Sequence, residues 1–382
     1  MRHSKREGRY RWNMWTPTLE EKVAFLRDPR SYDASVRQVD VRETHMSWVF
    51  LTDSVVFKLK KPVRFPYLDF TTLEKRRNAC RAEVALNRRL AADVYLDAVP
   101  LSVSPAGLVI GEGVTVVDWL VKMRRLNQGR MLDCLVAEKR LERECIEALA
   151  LKLADFYRNA HRVFMRPDVF LRHWEYDLWQ NRVVLLNPRF KLSPGPVRHL
   201  DGLLREFLSQ KQALFVDRLK QRRIVDGHGD LRPEHIWLGD EVKIIDCLEF
   251  NARLRILDPL EEIAYLDLEC EHLGVKGIGD ITRPYVMQAL RDHAPVSLFC
   301  FYRCYRAMLR ARLSIAHLLA PNPRSPEKWR PQALSYLKLA APDARRLARF
   351  EAYLRRPEDR NTACPRASGG WFPPGAARKI RR

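Results

Sequence analysis

No stretch of this sequence approaches the roughly 20 consecutive apolar residues that a membrane-crossing helix needs, so no membrane span is expected. The basic opening Met1-Arg2-His3-Ser4-Lys5-Arg6 is followed by no apolar core, which argues against a secretory leader and for a cytoplasmic chain. None of the eight cysteines forms a CxxC pair, and no secretory context supports a disulfide framework. Cys300 and Cys304 stand four apart on one face of an expected helix. Without further Cys or His at ligand spacing they read as core residues rather than zinc ligands. There is no GxxxxGKS/T segment, which excludes a P-loop route to a nucleotide. Internal repeats are absent too. Acidic residues are scarce beside basic ones: 47 Asp and Glu face 68 Lys and Arg, leaving a net charge of +21.

That excess is concentrated at the ends. Residues 1–15 carry five basic and one acidic side chain, and residues 344–382 carry eleven basic and three acidic. Such ends attract nucleic acid or anionic lipid electrostatically, which makes nucleic acid a candidate partner. An arginine-biased, solubilising composition is the plainer account, and both stay open. Residues 1–15 and 357–382 are read as basic, disordered termini, the second containing Gly369-Gly370-Trp371-Phe372-Pro373-Pro374-Gly375.

What is present suits two lobes, because 382 residues exceed one ordinary compact core. Residues 19–27 suit a short helix. Ser47-Trp48-Val49-Phe50-Leu51 and Val55-Val56-Phe57-Lys58-Leu59-Lys60 read as strands joined by the turn Thr52-Asp53-Ser54. In the second strand Val55, Phe57 and Leu59 share one face, and Lys58 and Lys60 share the other. Thr71-Thr72-Leu73-Glu74 reads as a capping box opening a helix to about Ala91, with Glu83 at mid-length. Strands are expected at 97–103, 107–110 and 114–122. Together these make a small α+β lobe over 16–122 with an antiparallel sheet. From Met123 to about Arg356 the spacing turns helical, interrupted by a short β section at 224–250. Helices are expected at 258–272, 284–293, 297–319 and from Ser325-Pro326-Glu327 onward.

The chemistry concentrates in that β section. In Asp226-Gly227-His228-Gly229-Asp230-Leu231-Arg232-Pro233-Glu234-His235, Asp230 precedes the short apolar run 236–238. Gly239-Asp240-Glu241 turns the chain into a second run, 242–245, ending at Asp246. The resulting hairpin returns Asp246 to the loop holding Asp230. Two converging carboxylates suit phosphoryl transfer, one handling the attacking hydroxyl and the other holding Mg²⁺ on nucleotide phosphates. Lys58 is placed to meet those phosphates and Glu83 to hold Lys58.

His228-Gly229-Asp230-Leu231, with a ligand position five residues after the aspartate, resembles the H-G-D-L-x-x-x-N catalytic loop of the aminoglycoside phosphotransferase and choline kinase superfamily. Ile245-Asp246 is similar to its metal-binding aspartate. Asp258-Pro259 with Glu262-Ile263-Ala264 resembles its D-P-x-x-D-L-A segment. Met46 to Phe50, Lys58 to Pro62, Leu73 to Arg77 and Glu83 resemble a little-characterised bacterial branch, and the likeness covers roughly residues 35–320. It implies a bilobal protein-kinase-like fold with a small antiparallel-sheet N-lobe and a larger, mostly helical C-lobe. ATP or GTP would lie between the lobes near a linker at Val121-Lys122-Met123. Asp230 would be the catalytic base, Asp246 the Mg²⁺ ligand, and Lys58 the phosphate lysine held by Glu83. Lys60 rivals Lys58, since both share a face. The acceptor would be a small-molecule hydroxyl compound.

There are two departures from the pattern. His235 stands where the loop has asparagine, and an imidazole suits Mn²⁺ better than Mg²⁺. No glycine-rich loop lies between the first strands. Thr44-His45-Met46-Ser47 takes that place, with Ser47 a candidate phosphate contact. A pseudokinase acting as a nucleotide-binding or interaction module therefore stands as the alternative to an active phosphotransferase. His228 is read as structural, and Glu249 as fixing the loop that follows. Glu261, Glu262, Asp267, Glu269 and Glu271 read as one solvated helix face. Trp174 and Trp179 read as core.

Overall fold

The computed structural model describes residues 16–320 and 322–354. The terminal segments expected to be disordered lie outside the described residues. The N-lobe begins with α1 (Leu19–Arg27), which a complete capping box opens. The Thr18 hydroxyl accepts from the Glu21 N–H at 3.2 Å, and the Glu21 carboxylate accepts from the Thr18 N–H at 2.7 Å. There follow β1 (Asp40–Glu43), β2 (Ser47–Leu51), β3 (Val55–Lys60), the small ribbon β4 (Arg64–Phe65) and β5 (Leu68–Asp69), then α2 (Leu73–Asn87). The strands β6 (Tyr95–Ser104), β7 (Gly107–Ile110) and β8 (Thr115–Arg124) complete the lobe. Six strands form one antiparallel sheet in the order β1-β2-β3-β8-β6-β7.

Alternation along β3 sorts its side chains as expected. Phe57 and Leu59 join Phe50, Leu101, Leu120 and α1's Val23 and Leu26 in one core. The other face meets α2, whose Cys80 and Val84 pack with Tyr95 and Val121. Buried Asp118 of β8 ties both helices to the sheet, pairing with Lys22 of α1 at 2.8 Å and Arg76 of α2 at 2.7 Å.

Three local expectations need correction. The cap of α2 is Thr72, whose hydroxyl accepts from the Lys75 N–H, so the third helical residue is a lysine and the reciprocal half of a capping box cannot form. The helix stops at Asn87 instead of Ala91, giving way to a turn through Arg88 and Leu90. Strand β1 was not expected, because Asp40, Arg42 and Glu43 are exposed and leave no apolar alternation to read.

The C-lobe contains α3 (Leu132–Ala137), α4 (Arg143–Asn159), α5 (Pro167–Leu185), α6 (Pro194–Gln210) and α7 (Gln212–Lys220). Next come β9 (Val225–Asp226), the hairpin β10 (Ile236–Leu238) and β11 (Val242–Ile244), and β12 (Ile256–Leu257), which pairs with β9. Helices α8 (Pro259–His272), α9 (Ile278–Leu290), α10 (Val296–Ala316), α11 (Pro326–Leu339) and α12 (Ala341–Leu354) finish the described chain. One apolar core runs through the lobe. Trp174 sits within it, its ring 4.9–5.7 Å from those of Phe215, Phe301, Tyr302 and Tyr305. Cys300 and Cys304 are buried free thiols, as expected. Trp179 is not core: it is 52% exposed and stacks on Tyr176. Helix α9 begins six residues before the expected start, at a Gly277 with φ +81°, and carries Pro284 inside it. No described helix is long and apolar enough to cross a membrane.

The acidic face of α8 is not solvated. Glu261, Glu262, Asp267 and Glu269 are buried. Three arginines of α10, spaced three and four residues apart, meet this face. Arg306 pairs with Glu261 at 2.9 Å, Arg310 with Glu269 at 2.9 Å, and Arg303 with both Asp267 and Glu271. The sequence of α8 alone shows only the acids. Their cations are supplied by a helix about forty residues further on, and a buried charge needs such a partner.

Candidate functional site

The site lies where β3 and α2 of the N-lobe meet the β10–β11 hairpin of the C-lobe. Register fixes the hairpin: Ile236 faces Ile244, and the Ile245 N–H donates to the His235 carbonyl at 2.9 Å. His235, just before β10, and Asp246, just past β11, are thereby held side by side. Asp246 has φ +62°, a left-handed backbone uncommon outside glycine, and its N–H donates to the Tyr95 hydroxyl at 3.0 Å. The next N–H, of Cys247, donates to Asn87 Oδ1 at 2.9 Å. Two N-lobe side chains thus clamp the segment carrying Asp246.

The loop bearing Asp230 is clamped from behind. Glu262, buried on α8, accepts the N–H groups of His228 and Gly229 and the Tyr157 hydroxyl. Burial raises its pKa, and these hydrogen bonds to the charged form oppose that rise. Gly229 has φ +90°, and a Cβ there would sit 3.0 Å from the Leu254 carbonyl oxygen. Both conditions demand glycine. His228 Nε2 lies 2.9 Å from the Ile245 carbonyl oxygen, while its Nδ1 accepts from the Asp230 N–H. Burial, then the neighbouring His235, pushes its pKa down to about 4. It is a neutral, structural ring, as expected.

Asp230 accepts from the Tyr265 hydroxyl at 3.0 Å and from Arg232 Nε at 3.1 Å. Burial works against its charge, but Arg232, His235 and Arg310 outweigh it and hold the pKa below the ordinary aspartate value. An ionised carboxylate has about four acceptor sites, so two contacts leave room for a hydroxyl.

Lys58 reaches across the cleft. Its Nζ is 2.9 Å from Glu83 Oε1 and 2.8 Å from Asp246 Oδ1. Lys60 shares the same glutamate at 2.5 Å and also pairs with Glu249. The two lysines differ in access. Lys60 is 1% exposed and enclosed by two carboxylates, whereas Lys58 keeps an opening to the cleft beside Asp246, whose side chain is 45% exposed. Enclosure in the cleft opposes the charge on Asp246, but Lys58 and then His235 hold its pKa well below the usual range. Burial likewise opposes the charge of Glu83, and Lys58 and Lys60 keep it ionised.

The remaining expected residues lie as follows. Ser47 starts β2 and is buried; its N–H donates to the Thr44 hydroxyl at 2.9 Å, within the turn that stands between the first strands. Met123 is still on β8, opposite Val56 and Tyr95, and packs against the apolar cluster of Cys80, Val84, Tyr95 and Val121. The sheet continues to Arg124, so the chain leaves the N-lobe just past the segment read as the linker. Glu249 fastens Lys60, in line with a loop-fixing role.

Sequence reasoning missed Tyr265, Arg232, Glu262, Tyr95 and Asn87 as members of the site. Arg232 was signalled by standing two residues after Asp230. Glu262 stood in the segment likened to D-P-x-x-D-L-A but was read as part of a solvated face, while Tyr265, Tyr95 and Asn87 come from helices and strands 35 to 160 residues away in sequence and no local spacing announces them.

No family model matches the chain. Two curated relatives, uncharacterised proteins of Mycobacterium tuberculosis and Mycobacterium bovis, are 36% identical over 294 residues, 75% of this chain and 57% of each relative. The chain thus spans little more than half the length of the relatives it matches. Among solved structures, a choline/ethanolamine kinase family protein of Mesorhizobium loti aligns with a TM-score of 0.50 at 15% identity, covering 89% of this chain and 95% of that one. A thermostable mutant of an aminoglycoside phosphotransferase, in a ternary complex with AMP-PNP and hygromycin B, also aligns at 0.50, with 11% identity over 84% and 97% of the two chains. The chain therefore has the bilobal kinase-like α+β fold that these proteins share, and the expectation of fold raised by the His228-Gly229-Asp230-Leu231 segment is met.

Proposed function

We propose that this protein transfers the γ-phosphoryl group of ATP or GTP to a hydroxyl of a small-molecule acceptor. One observation carries the reading: Asp230, Asp246 and the Lys58–Glu83 pair, separated by up to 188 residues in sequence, converge in the cleft between the lobes. A fold also held by a phosphotransferase solved with AMP-PNP supports a nucleotide there.

In this reading the acceptor hydroxyl lies on Asp230. Its oxygen forms a bond to the γ-phosphorus as the bond to the β–γ bridging oxygen breaks, and its proton passes to the Asp230 carboxylate. Tyr265 and Arg232 fix the orientation of that carboxylate, and Glu262 fixes the loop beneath it. Lys58 meets the phosphates, with Glu83 keeping it extended across the cleft. Among the described residues no cluster of three or more His, Cys, Asp or Glu encloses a metal. A nucleotide-borne divalent cation needs only one or two protein ligands and completes its shell with phosphate and water. Asp246, ionised and open to the cleft, would hold it, and when bound it would neutralise charge on the transferring phosphoryl group.

Thermal unfolding with ATP or GTP, each with Mg²⁺ or Mn²⁺, tests the reading. Nucleotide at about 100 times its dissociation constant adds about 2.7 kcal/mol. For the roughly 340 described residues that is a rise of about 4 °C. The rise should depend on metal and vanish in Asp246→Ala. Asp230→Asn should keep the rise and lose roughly 10²–10⁴ in transfer rate to a hydroxyl acceptor found by screening. A metal-dependent rise without transfer to any acceptor would favour the pseudokinase reading. No rise with any pair would refute nucleotide binding.

A further inference from the structure

The histidine that replaces the loop's asparagine is held in one tautomer and aimed at one atom. His235 is buried on the single 3-10 turn Pro233–His235. Its Nδ1 lies 2.9 Å from the Asp230 carbonyl oxygen. A carbonyl only accepts, so Nδ1 carries a hydrogen, and Nε2 is the ring nitrogen turned toward Asp246. Arg232 Nη2 stands 3.5 Å from Nε2 and can only donate, which agrees with that assignment. On its other side Nε2 lies 3.6 Å from Asp246 Oδ2. Lys58 binds the opposite oxygen, Oδ1, and leaves Oδ2 free of it.

Two electron-rich atoms, an imidazole nitrogen and a carboxylate oxygen, thus face one small space. Part of the frame that brings them there is main chain: the Ile245 N–H to His235 carbonyl bond extends the hairpin ladder between the two residues. The left-handed backbone of Asp246, clamped by Tyr95, fixes the second donor. Facing acceptors of this kind are stable when a cation lies between them.

We propose that His235 Nε2 and Asp246 Oδ2 form a mixed nitrogen–oxygen site that selects Mn²⁺ over Mg²⁺ as the nucleotide's divalent ion. The proposal rests on the phosphotransfer reading for the presence of the nucleotide. Mg²⁺ is a hard ion that keeps oxygen ligands and demands near-ideal octahedral geometry. An imidazole ligand favours first-row transition ions, for which affinity at nitrogen-containing sites rises from Mn²⁺ onward. The amide oxygen of an asparagine would impose no such preference. The Nδ1–H to carbonyl hydrogen bond orients the ring and raises the basicity of Nε2, as second-layer contacts do at metal-binding histidines.

The test is pulsed electron paramagnetic resonance of Mn²⁺ bound with a non-hydrolysable nucleoside triphosphate, together with Mn²⁺ and Mg²⁺ affinities by calorimetry. The full chain should show echo modulation from a coupled ¹⁴N nucleus, replaced by a ¹⁵N pattern when the protein carries ¹⁵N-histidine. His235→Asn should abolish the coupling and reduce the Mn²⁺ over Mg²⁺ preference by about tenfold. The isotope comparison needs no variant, so a poorly folding substitution does not remove the test. Mn²⁺ and nucleotide binding without nitrogen coupling would overturn the proposal and leave the phosphotransfer reading standing. Failure to bind nucleotide with either metal would overturn both.

Discussion

Substituting Lys60 by methionine separates the two lysines of β3 by their work. Lys60 is 1% exposed, Glu83 is fully buried, and Glu249 joins them from the C-lobe. Removing one partner of a buried ion pair costs about 3–5 kcal/mol, because the other charge stays behind in a medium that solvates it poorly. Glu83 keeps Lys58, so the stranded group is Glu249. Burial already pushes its pKa up against the pull of Lys60. Without Lys60 it should take up a proton, which holds the cost near about 3 kcal/mol. With an unfolding entropy of about 2.1 cal/mol/K per residue, the roughly 340 described residues convert that to a fall of about 4 °C in melting temperature. The double variant Lys60→Met with Glu249→Leu should recover most of the loss, since replacing both charges by apolar groups is often neutral. Lys58→Met should behave differently. Its side chain faces the cleft and Glu83 retains Lys60, so the expected loss is about 1 kcal/mol, but the nucleotide-induced rise should disappear. Calorimetric unfolding of all four proteins, with and without nucleotide, reads both effects. The reasoning is refuted if both single lysine variants lose stability equally, or if Lys60→Met alone abolishes the nucleotide response.

Two further outcomes follow from buried charges away from the cleft. Asp118→Ala should cost about 3–5 kcal/mol in urea unfolding, because Lys22 and Arg76 would both lose their buried partner. A loss below about 1 kcal/mol would show that the helices α1 and α2 dock without it. Asp292, buried against Arg218, has its pKa raised by burial but held below 3.8 overall by that guanidinium. Its contribution is therefore present above pH 3.8 and lost as the pH falls through the lower, folded value. Asp292→Asn should lower the number of protons taken up during acid unfolding by about one, measured as the pH dependence of the urea midpoint. An unchanged dependence would show that the pair makes no contribution to acid stability.

Local features of the site were legible in the sequence and long-range ones were not. The alternation of β3 places Lys58 and Lys60 on one face because strand periodicity is a property of adjacent residues. The hairpin that returns Asp246 toward Asp230 was readable for the same reason, since turn and runs lie within eleven residues. What decides between Lys58 and Lys60 was not readable. It depends on Glu249 closing over Lys60 from the other lobe, 189 residues away. The acids of α8 were misread because an amphipathic pattern reports which residues are polar, not whether an arginine row will meet them. Strand β1 escaped because its residues are held by pairing with β2 rather than by burial of alternate side chains.

The backbone bond from Ile245 to the His235 carbonyl has a wider meaning. It makes the loop bearing Asp230 and the segment bearing Asp246 two ends of a single clip, joined at this point by the main chain. Helices α5 to α7 and α9 to α12 supply no rung of that clip. Helices α5 and α6 can therefore vary while the spacing of Asp230 and Asp246 is kept, whereas α10 must go on supplying the arginines that meet the buried acids of α8. In the phosphotransfer reading, a change of acceptor then asks for a new wall in front of that pair rather than a new pair.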